Sequence, residues 1–436
     1  MNSFPSPKFD LKISKELVNT LYPICRSILG KGYRDSLEIL RKHIPLKLLK
    51  NKSGEKIFDW TIPKEWEIKD AYIITPNGKK IANFKKHSLH ILNYSIPFSG
   101  KVTFDELKKH IYTLPDKPKA IPYVTSYYKK NWGFCIAYNE YKTLPNKGMY
   151  EVLIKSKHLN GTLVNGHLLL KGKSKKEIMI STYLCHPQMA NHELSGPILM
   201  IFLYNYIKSI KNRKYSYRFL VCPENIGSIT YLKKFGKYLK KNLEGGLILN
   251  LLANGNEYTY KKTRHGNSLI DKIVYNVLSH NSKKFNILDF FPDGSDERQF
   301  SSPGFNLPFG VLMRKNYSNM PEYHTSLDDI SFFNQQTLKD SFNMYCKIIN
   351  ALETNFIPKG RVQFGTPQLS KIKDSLYPNT MTFASKPKTD FIRNMLAIIN
   401  EADGKTSLID IANKNNFCLI ENKELIDRLI KNKLIR

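Results

Sequence analysis

Five residues able to hold a cation or work beside one follow each other through the middle of the chain. His186 and Glu193 lie in "CHPQMANHELSG", Glu224 in "CPENIGS", Asp296 in "GSDERQF" and His324 in "EYHTSLDD". Imidazole and carboxylate are the groups a catalytic zinc takes, usually three from the protein with one position left for water. A single histidine with polar neighbours is more often structural than a ligand. Five such residues, in or beside segments where an α/β sheet would put its binding loops, carry more weight.

The elements that must position them are legible. From about residue 162, "HLLLKG", "EIMISTYLC", "RFLVCPE" and "GGLILNLL" are short apolar runs. Helical stretches over 196–210 and 227–240 separate them. A helix over 267–280, a strand over 307–314 and a helix over 335–353 follow. Strand–helix alternation predicts an α/β sheet whose ligands bind beyond the strand C-terminal ends. His186 and Glu224 fall just past two such ends.

The flanks differ. Residues 11–44 have helical periodicity interrupted by Pro23 and Gly30, which predicts two helices. From about 56 to 155 the runs are short, aromatic and β-branched, with Asn77-Gly78 as a hairpin signal. The tail, "DFIRNMLAIINEA", "SLIDIANKN" and "ENKELIDRLIKNKLIR", reads as three short helices, a winged-helix or helix-turn-helix unit. The expected organisation is therefore an α/β core of 1–55 and 156–385, an inserted β-rich domain of 56–155, and a winged-helix-like domain of 386–436.

Composition excludes little. The chain has 436 residues and 41% apolar content, enough for real cores. The 68 Lys+Arg against 37 Asp+Glu give a net charge of +31. An acidic partner would fit that charge, but the basic residues are spread along the whole chain, which favours general composition. The tail helices carry Lys405, Lys414, Lys423, Arg428, Lys431 and Lys433. Their middle helix offers few side chains for base edges, so nucleic acid is the less favoured partner. The six cysteines form no CxxC pair, as expected of reduced thiols. No charged-then-apolar leader and no apolar run near 18 residues occur, so the expectation is a cytoplasmic protein with no membrane contact. A homo-oligomer is left open.

"CHP", "HELSG", "PEN", "NLLANG", "SDERQF" and "YHTSLDD" occur in the order of the metal-binding segments of the zinc aminopeptidase superfamily, which also contains the glutaminyl cyclases. The 160–350 block resembles that superfamily. The whole chain is similar to a group of bacterial aminopeptidase-like proteins with a β-rich insertion and a C-terminal winged helix, often encoded near surface-polysaccharide genes. "YPICRSI", "FDWTIPKEW", "IPYVTSYYKKNWGFC" and "GSDERQFSSPG" carry this closer likeness. The resemblance implies a mixed-sheet zinc-peptidase-like core.

It also implies roles, and the departures shape them. Glu193 stands at the bridging position where an Asp is usual, Asn225 replaces the second acid of a Glu pair, and Leu252 replaces an Asp ligand. Each half of a two-zinc site has lost a ligand. His186, Glu193 and His324 remain, a full set for one Zn²⁺ per chain, with His192 as the alternative to Glu193. Glu224 takes the general-base position. Asp296 is expected to relay a proton or touch substrate, unless it caps a helix near Ser295. Asp328 or Asp329 would orient His324 or cap a helix.

Around these, Arg298 suits a bidentate contact to a substrate carboxylate or sugar acid, or an internal ion pair. Arg264 and Arg314 are lesser candidates. Tyr323 lines the cleft or packs in the core. Cys185 is expected to be a core residue, since no Ser or Cys nucleophile motif occurs. Trp60, Trp66, Tyr123, Tyr127, Tyr128 and Trp132 stack on sugars or, for most of them, build the insertion's core.

The expected function is mono-zinc hydrolysis of an amide or peptide bond in a small-molecule or peptide-like substrate, a modified amino acid or glycan-linked amide being candidates. The alternatives are a zinc acyltransferase of glutaminyl-cyclase type, or a non-catalytic metal-binding regulator whose winged helix meets DNA or a protein.

Overall fold

The computed structural model describes residues 4–372, 376 and 386–436. Asp10 opens the first helix, Leu11–Leu21, its carboxylate accepting the N–H groups of Lys12 and Ile13. This is an N-cap, which satisfies donors that no helical carbonyl can reach. The second helix, Lys31–Arg41, starts after Gly30. Pro23 and Gly30 thus divide the two helices as expected.

The core is an eight-stranded mixed sheet. Its order is Lys47–Lys52, Thr162–Leu170, Ser216–Cys222, Glu177–Tyr183, Leu243–Ile248, Phe309–Met313, Tyr258–Lys261, Phe285–Leu288. Every residue of Glu177–Tyr183 and Ser216–Cys222 is buried, because helices or other chain cover both faces. That is why these strands read as unbroken apolar runs. The four strands from Ser216–Cys222 to Phe309–Met313 are parallel.

Connectivity decides where the crevice opens. Glu177–Tyr183 leads through helix Asn191–Ser209 to Ser216–Cys222 on one side. That strand leads through helix Ile226–Asn242 to Leu243–Ile248 on the other. Strand order reverses at Glu177–Tyr183, and a reversal leaves a crevice beyond the strand C-terminal ends. The helix Asn191–Ser209 comes very close to the sheet there. A Cβ added at Gly196 would lie 2.2 Å from the Leu249 carbonyl oxygen, so only glycine permits the approach.

The insertion forms its own antiparallel sheet, ordered Lys80–Ile81, Glu65–Ile74, Met149–Leu159, Phe98–Thr103. Gly78, at φ 79°, turns the expected hairpin, and Ile73 pairs with Ile81. Trp66 and Trp132 are buried in this region. The segment 121–126 reaches back to the core, where Tyr123 N–H donates to the His324 carbonyl at 2.9 Å and Pro122 bridges Thr325.

At the C-terminus, helices Lys386–Glu401, Leu408–Lys414 and Lys423–Lys431 form the expected trio. Residues from 359 join them, through bridges Lys359 to Asp403 and Gly360 to Ile435. Asn276 of the core helix Leu269–Asn281 fixes the unit. Its side chain donates to Asn413 and to the Phe417 carbonyl and accepts the Leu419 N–H, at 2.9–3.0 Å. No helix among the described residues is long and apolar enough to cross a membrane. All six cysteines are unpaired.

Candidate metal centre

His186 follows the central strand by three residues, His192 sits in the first turn of helix Asn191–Ser209, and His324 lies in the loop after Phe309–Met313. The fold draws the three imidazoles together. Ring centroids are 4.7 Å apart for His186 and His192, 4.8 Å for His192 and His324, and 5.3 Å for His186 and His324. One ligand atom from each lies within 4.8 Å of the others.

The second nitrogen of each ring sorts the roles. His186 Nδ1 is 2.7 Å from Glu193 Oε2, and Glu193 Oε1 accepts the His186 backbone N–H at 2.8 Å. His186 thereby presents Nε2, 3.5 Å from Glu224 Oε2. His192 Nε2 is 2.8 Å from the Tyr183 hydroxyl, which Asn250 tethers at 3.2 Å. His192 Nδ1 and His324 Nε2 are buried with no hydrogen-bond partner. Buried polar atoms are rarely orphaned unless an ion or water completes them. Burial, and then the charge of His186, push His324 down to about 3 and His192 well below the ordinary imidazole range. Neutral imidazole is the form that binds a metal; burial pulls His186 down, but Cys185 and Glu193 outweigh burial and push it well above its ordinary range, so a metal there would displace its proton. This donor set fits a zinc.

The grouping differs from the expected one. His186, His192 and His324 form one group able to hold an ion and Cys185, His186 and Glu193 another, so His186 is common to both and Glu193 and His324 fall in different ones. Glu193 stands behind His186 with both oxygens engaged by it, and is wholly buried. Arg26, also wholly buried, supports that carboxylate. Its Nε is 3.7 Å from Glu193 Oε1 and donates to the His186 carbonyl at 2.8 Å. Adjacent helical residues point about 100° apart, so His192 meets the rings while Glu193 reaches the far nitrogen of His186.

Glu224 is delivered by a strained turn. Ile226 N–H donates to the Glu224 carbonyl at 2.8 Å across Asn225, whose φ of 60° and ψ of −70° define a rare three-residue turn. Strain of this kind persists only when its surroundings enforce it. Asp296 does so, accepting the Asn225 N–H at 2.7 Å and the Ser228 hydroxyl at 2.8 Å. Burial, then the Glu224 charge, push Asp296 up to about 7. Burial also raises Glu224 above its ordinary range, against the opposing charge of His186.

The Asn225 amide oxygen takes three donors, from Arg298 Nε at 3.1 Å, Arg298 Nη2 at 3.0 Å and Gln299 Nε2 at 2.9 Å. Leu252 is buried in the core. Tyr323 stacks on His324 at 4.0 Å and meets His192 edge-on at 4.8 Å. Tyr123 from the insertion stands edge-on to His186 and His324, at 5.2 and 5.5 Å.

Other expected residues take structural roles. Asp328 caps helix Asn191–Ser209, accepting the N–H groups of Asn191 and His192 at 2.7 and 2.9 Å. Asp329 caps the short turn at Ile330–Phe332. Arg264 donates to the Ser301 carbonyl at 3.3 Å. Arg314 lies 4.1 Å from the Tyr258 ring centroid and donates to Ser341. Cys185 is buried and its sulfur accepts the Glu224 N–H at 3.3 Å. Arg26, Tyr183 and Asn250 were not foreseen, because nothing local in "YPICRSI" or in an apolar strand announces a partner more than a hundred residues away or across the crevice.

Comparison with known proteins agrees with this architecture. The family described as "Domain of unknown function (DUF4910)" matches residues 15–355, and "winged helix-turn-helix" matches 357–436. A Clostridium acetobutylicum protein named "Putative polysaccharide biosynthesis protein with aminopeptidase-like domain" is 43% identical over 420 residues, 96% of this chain and 95% of that protein. The crystal structure of a C. acetobutylicum "putative peptidase" has a TM-score of 0.89 at 41% identity, covering 98% of this chain and 96% of the other. A zinc aminopeptidase from Bacillus subtilis shares the fold, with a TM-score of 0.57 at 13% identity over 80% of this chain and 96% of that one. On these matches the chain belongs to the DUF4910 family, with an aminopeptidase-like mixed α/β fold and a C-terminal winged helix-turn-helix domain.

Proposed function

We propose that the chain is a metal-dependent hydrolase of amide or peptide bonds, with one zinc held by His186 Nε2, His192 Nδ1 and His324 Nε2. The observation that carries this is the pair of buried, partnerless nitrogens on His192 and His324 facing His186, with Glu224 beside them. A bound zinc would supply an acidified water and polarise the substrate carbonyl. Three histidines and an open position are a known set for that task.

The chain's own groups do the rest. Glu224 takes a proton from the attacking water and returns it to the leaving amine. Glu193, backed by Arg26, holds His186 in the tautomer that presents Nε2. Asp296 holds the Asn225 turn and with it the position of Glu224. Tyr323 and Tyr123 wall the site and exclude water. A single metal is favoured because the Asn225 oxygen is occupied by Arg298 and Gln299, and Leu252 offers no ligand.

Metal analysis of the purified protein tests this. One zinc per chain is expected, lost in His186→Ala, His192→Ala and His324→Ala. Glu224→Gln should keep the zinc and lose turnover across a panel of N-acyl and aminoacyl amides. Two metals per chain, or full zinc content in His192→Ala, would overturn the ligand set.

A further inference from the structure

Arg298 lies near the proposed base and bonds one neutral partner. Its Nε and Nη2 both donate to the Asn225 amide oxygen, one residue from Glu224. Among the described residues no carboxylate makes an ion pair with it, and Nη1 has no protein acceptor. Some other arginines grip carboxylates, whereas Arg264 and Arg213, like Arg298, bond only carbonyl oxygens. Arg34 grips Glu65 through two bonds of 2.6 and 2.7 Å, and Arg218 grips Glu177 through two of 2.5 and 2.9 Å. Arg298 is also only partly exposed, so solvent cannot wholly replace a counter-ion.

A guanidinium cannot lose its proton, and its planar fork matches carboxylate geometry. The Asn225 contact spends one edge of the fork and leaves Nη1 free. The local balance of charge is then clear. Glu193 is engaged with His186 and Asp296 with Asn225 and Ser228, while Glu224 stands 3.5 Å from His186 Nε2 and also feels the charge of Arg298. An ammonium group entering here would meet Arg298 and the cation of the metal site. An anionic group would meet a fixed, unpaired donor.

We infer that Arg298 is an anion-binding residue of the cleft, so that the substrate carries a carboxylate or comparable anionic group near the scissile amide and not a free amine. This rests on the proposed metal-dependent hydrolase and names its substrate class. It also separates the chain from an enzyme that selects free amino termini, because like charge at short range is repelled most strongly where water is scarce.

Three hydroxamates of similar size test the inference on the zinc-loaded protein. Succinic monohydroxamate carries a carboxylate, its carboxamide analogue is neutral, and β-alanine hydroxamate carries an ammonium. Calorimetry should rank binding as carboxylate, then carboxamide, then ammonium, with at least tenfold between the first two. Arg298→Gln should abolish that preference, read as the ratio of carboxylate to carboxamide affinity within the same zinc-loaded variant. Arg298→Lys, which keeps charge but loses the fork, should retain part of it.

Equal binding of the three by the wild type, or a preference that survives Arg298→Gln, would overturn the anion site while leaving the metal site intact. A protein that holds no zinc, or a zinc-loaded protein that binds no hydroxamate, would overturn the metal-dependent hydrolase itself and the inference with it. Zinc content, measured first on each variant, keeps these failures apart. A fall in carboxamide binding in Arg298→Gln equal to the fall in carboxylate binding would show a structural role and count against the proposal.

Discussion

Glu193 Oε2 lies 2.7 Å from His186 Nδ1, so the carboxylate is a partner of the histidine and not a member of the ring cluster. Behind it sits the fully buried Arg26, 3.7 Å away. Removing one member of a buried charge pair strands the other, at a cost of about 3–5 kcal/mol. Glu193→Leu should therefore destabilise the metal-free protein by that order in urea unfolding. Adding Arg26→Leu should recover a large part of the loss. Independent, additive effects of the two substitutions would show that the pair is not coupled.

Tyr183 makes the matching contact for His192. Loss of an outer partner of a metal-bound histidine typically lowers metal affinity by about 10–100-fold. Tyr183→Phe should do so in a zinc competition titration while the metal-free protein keeps its melting temperature within a few degrees. Unchanged zinc affinity would mean that the hydroxyl merely fills space beside Nε2.

Gly196 is where helix and sheet nearly touch. Gly196→Ala would place its Cβ 2.2 Å from the Leu249 oxygen and 2.3 Å from Thr182 Oγ1, so backbone must move. Overpacking of this kind costs about 1–3 kcal/mol. The same shift displaces His192 and Glu193 in the preceding turn. Thermal unfolding and zinc affinity should both fall. A variant with unaltered zinc affinity would dissociate the helix approach from the site.

Acid sensitivity should arise partly at His87 in the insertion. Burial, reinforced by His90 and opposed by Asp329, pushes it from 6.5 down to about 4. The unfolded chain then binds a proton that the folded chain refuses. Its contribution to stability is complete above pH 6.5 and is lost as pH falls from there towards 4, by up to about 3 kcal/mol. His87→Gln should flatten this part of the stability profile. An identical pH dependence in wild type and variant would place the sensitivity in other groups.

Much of the architecture was legible because it follows from local periodicity. Buried parallel strands show as unbroken apolar runs, and Pro23, Gly30 and Asn77-Gly78 mark boundaries that the chain obeys. His186 and Glu224 could be picked out because strand ends are where an α/β sheet binds ligands, and His324 because "YHTSLDD" resembles a metal-binding segment of the zinc aminopeptidases. The choice between His192 and Glu193 could not be made in the same way.

Adjacent residues on a helix point about 100° apart, and which of the two enters the crevice depends on how Asn191–Ser209 is rotated against the sheet. Gly196 and the Asp328 cap set that rotation, from opposite ends of the first turns. Arg26 and Tyr183 likewise acquire their contacts from partners brought in by tertiary packing. Residue order and polarity were enough to determine the layers of this protein and the crevice where its chemistry belongs. Only the folded arrangement decided which of the neighbouring side chains meet, because direction in space is a property of packed elements and not of position along the chain.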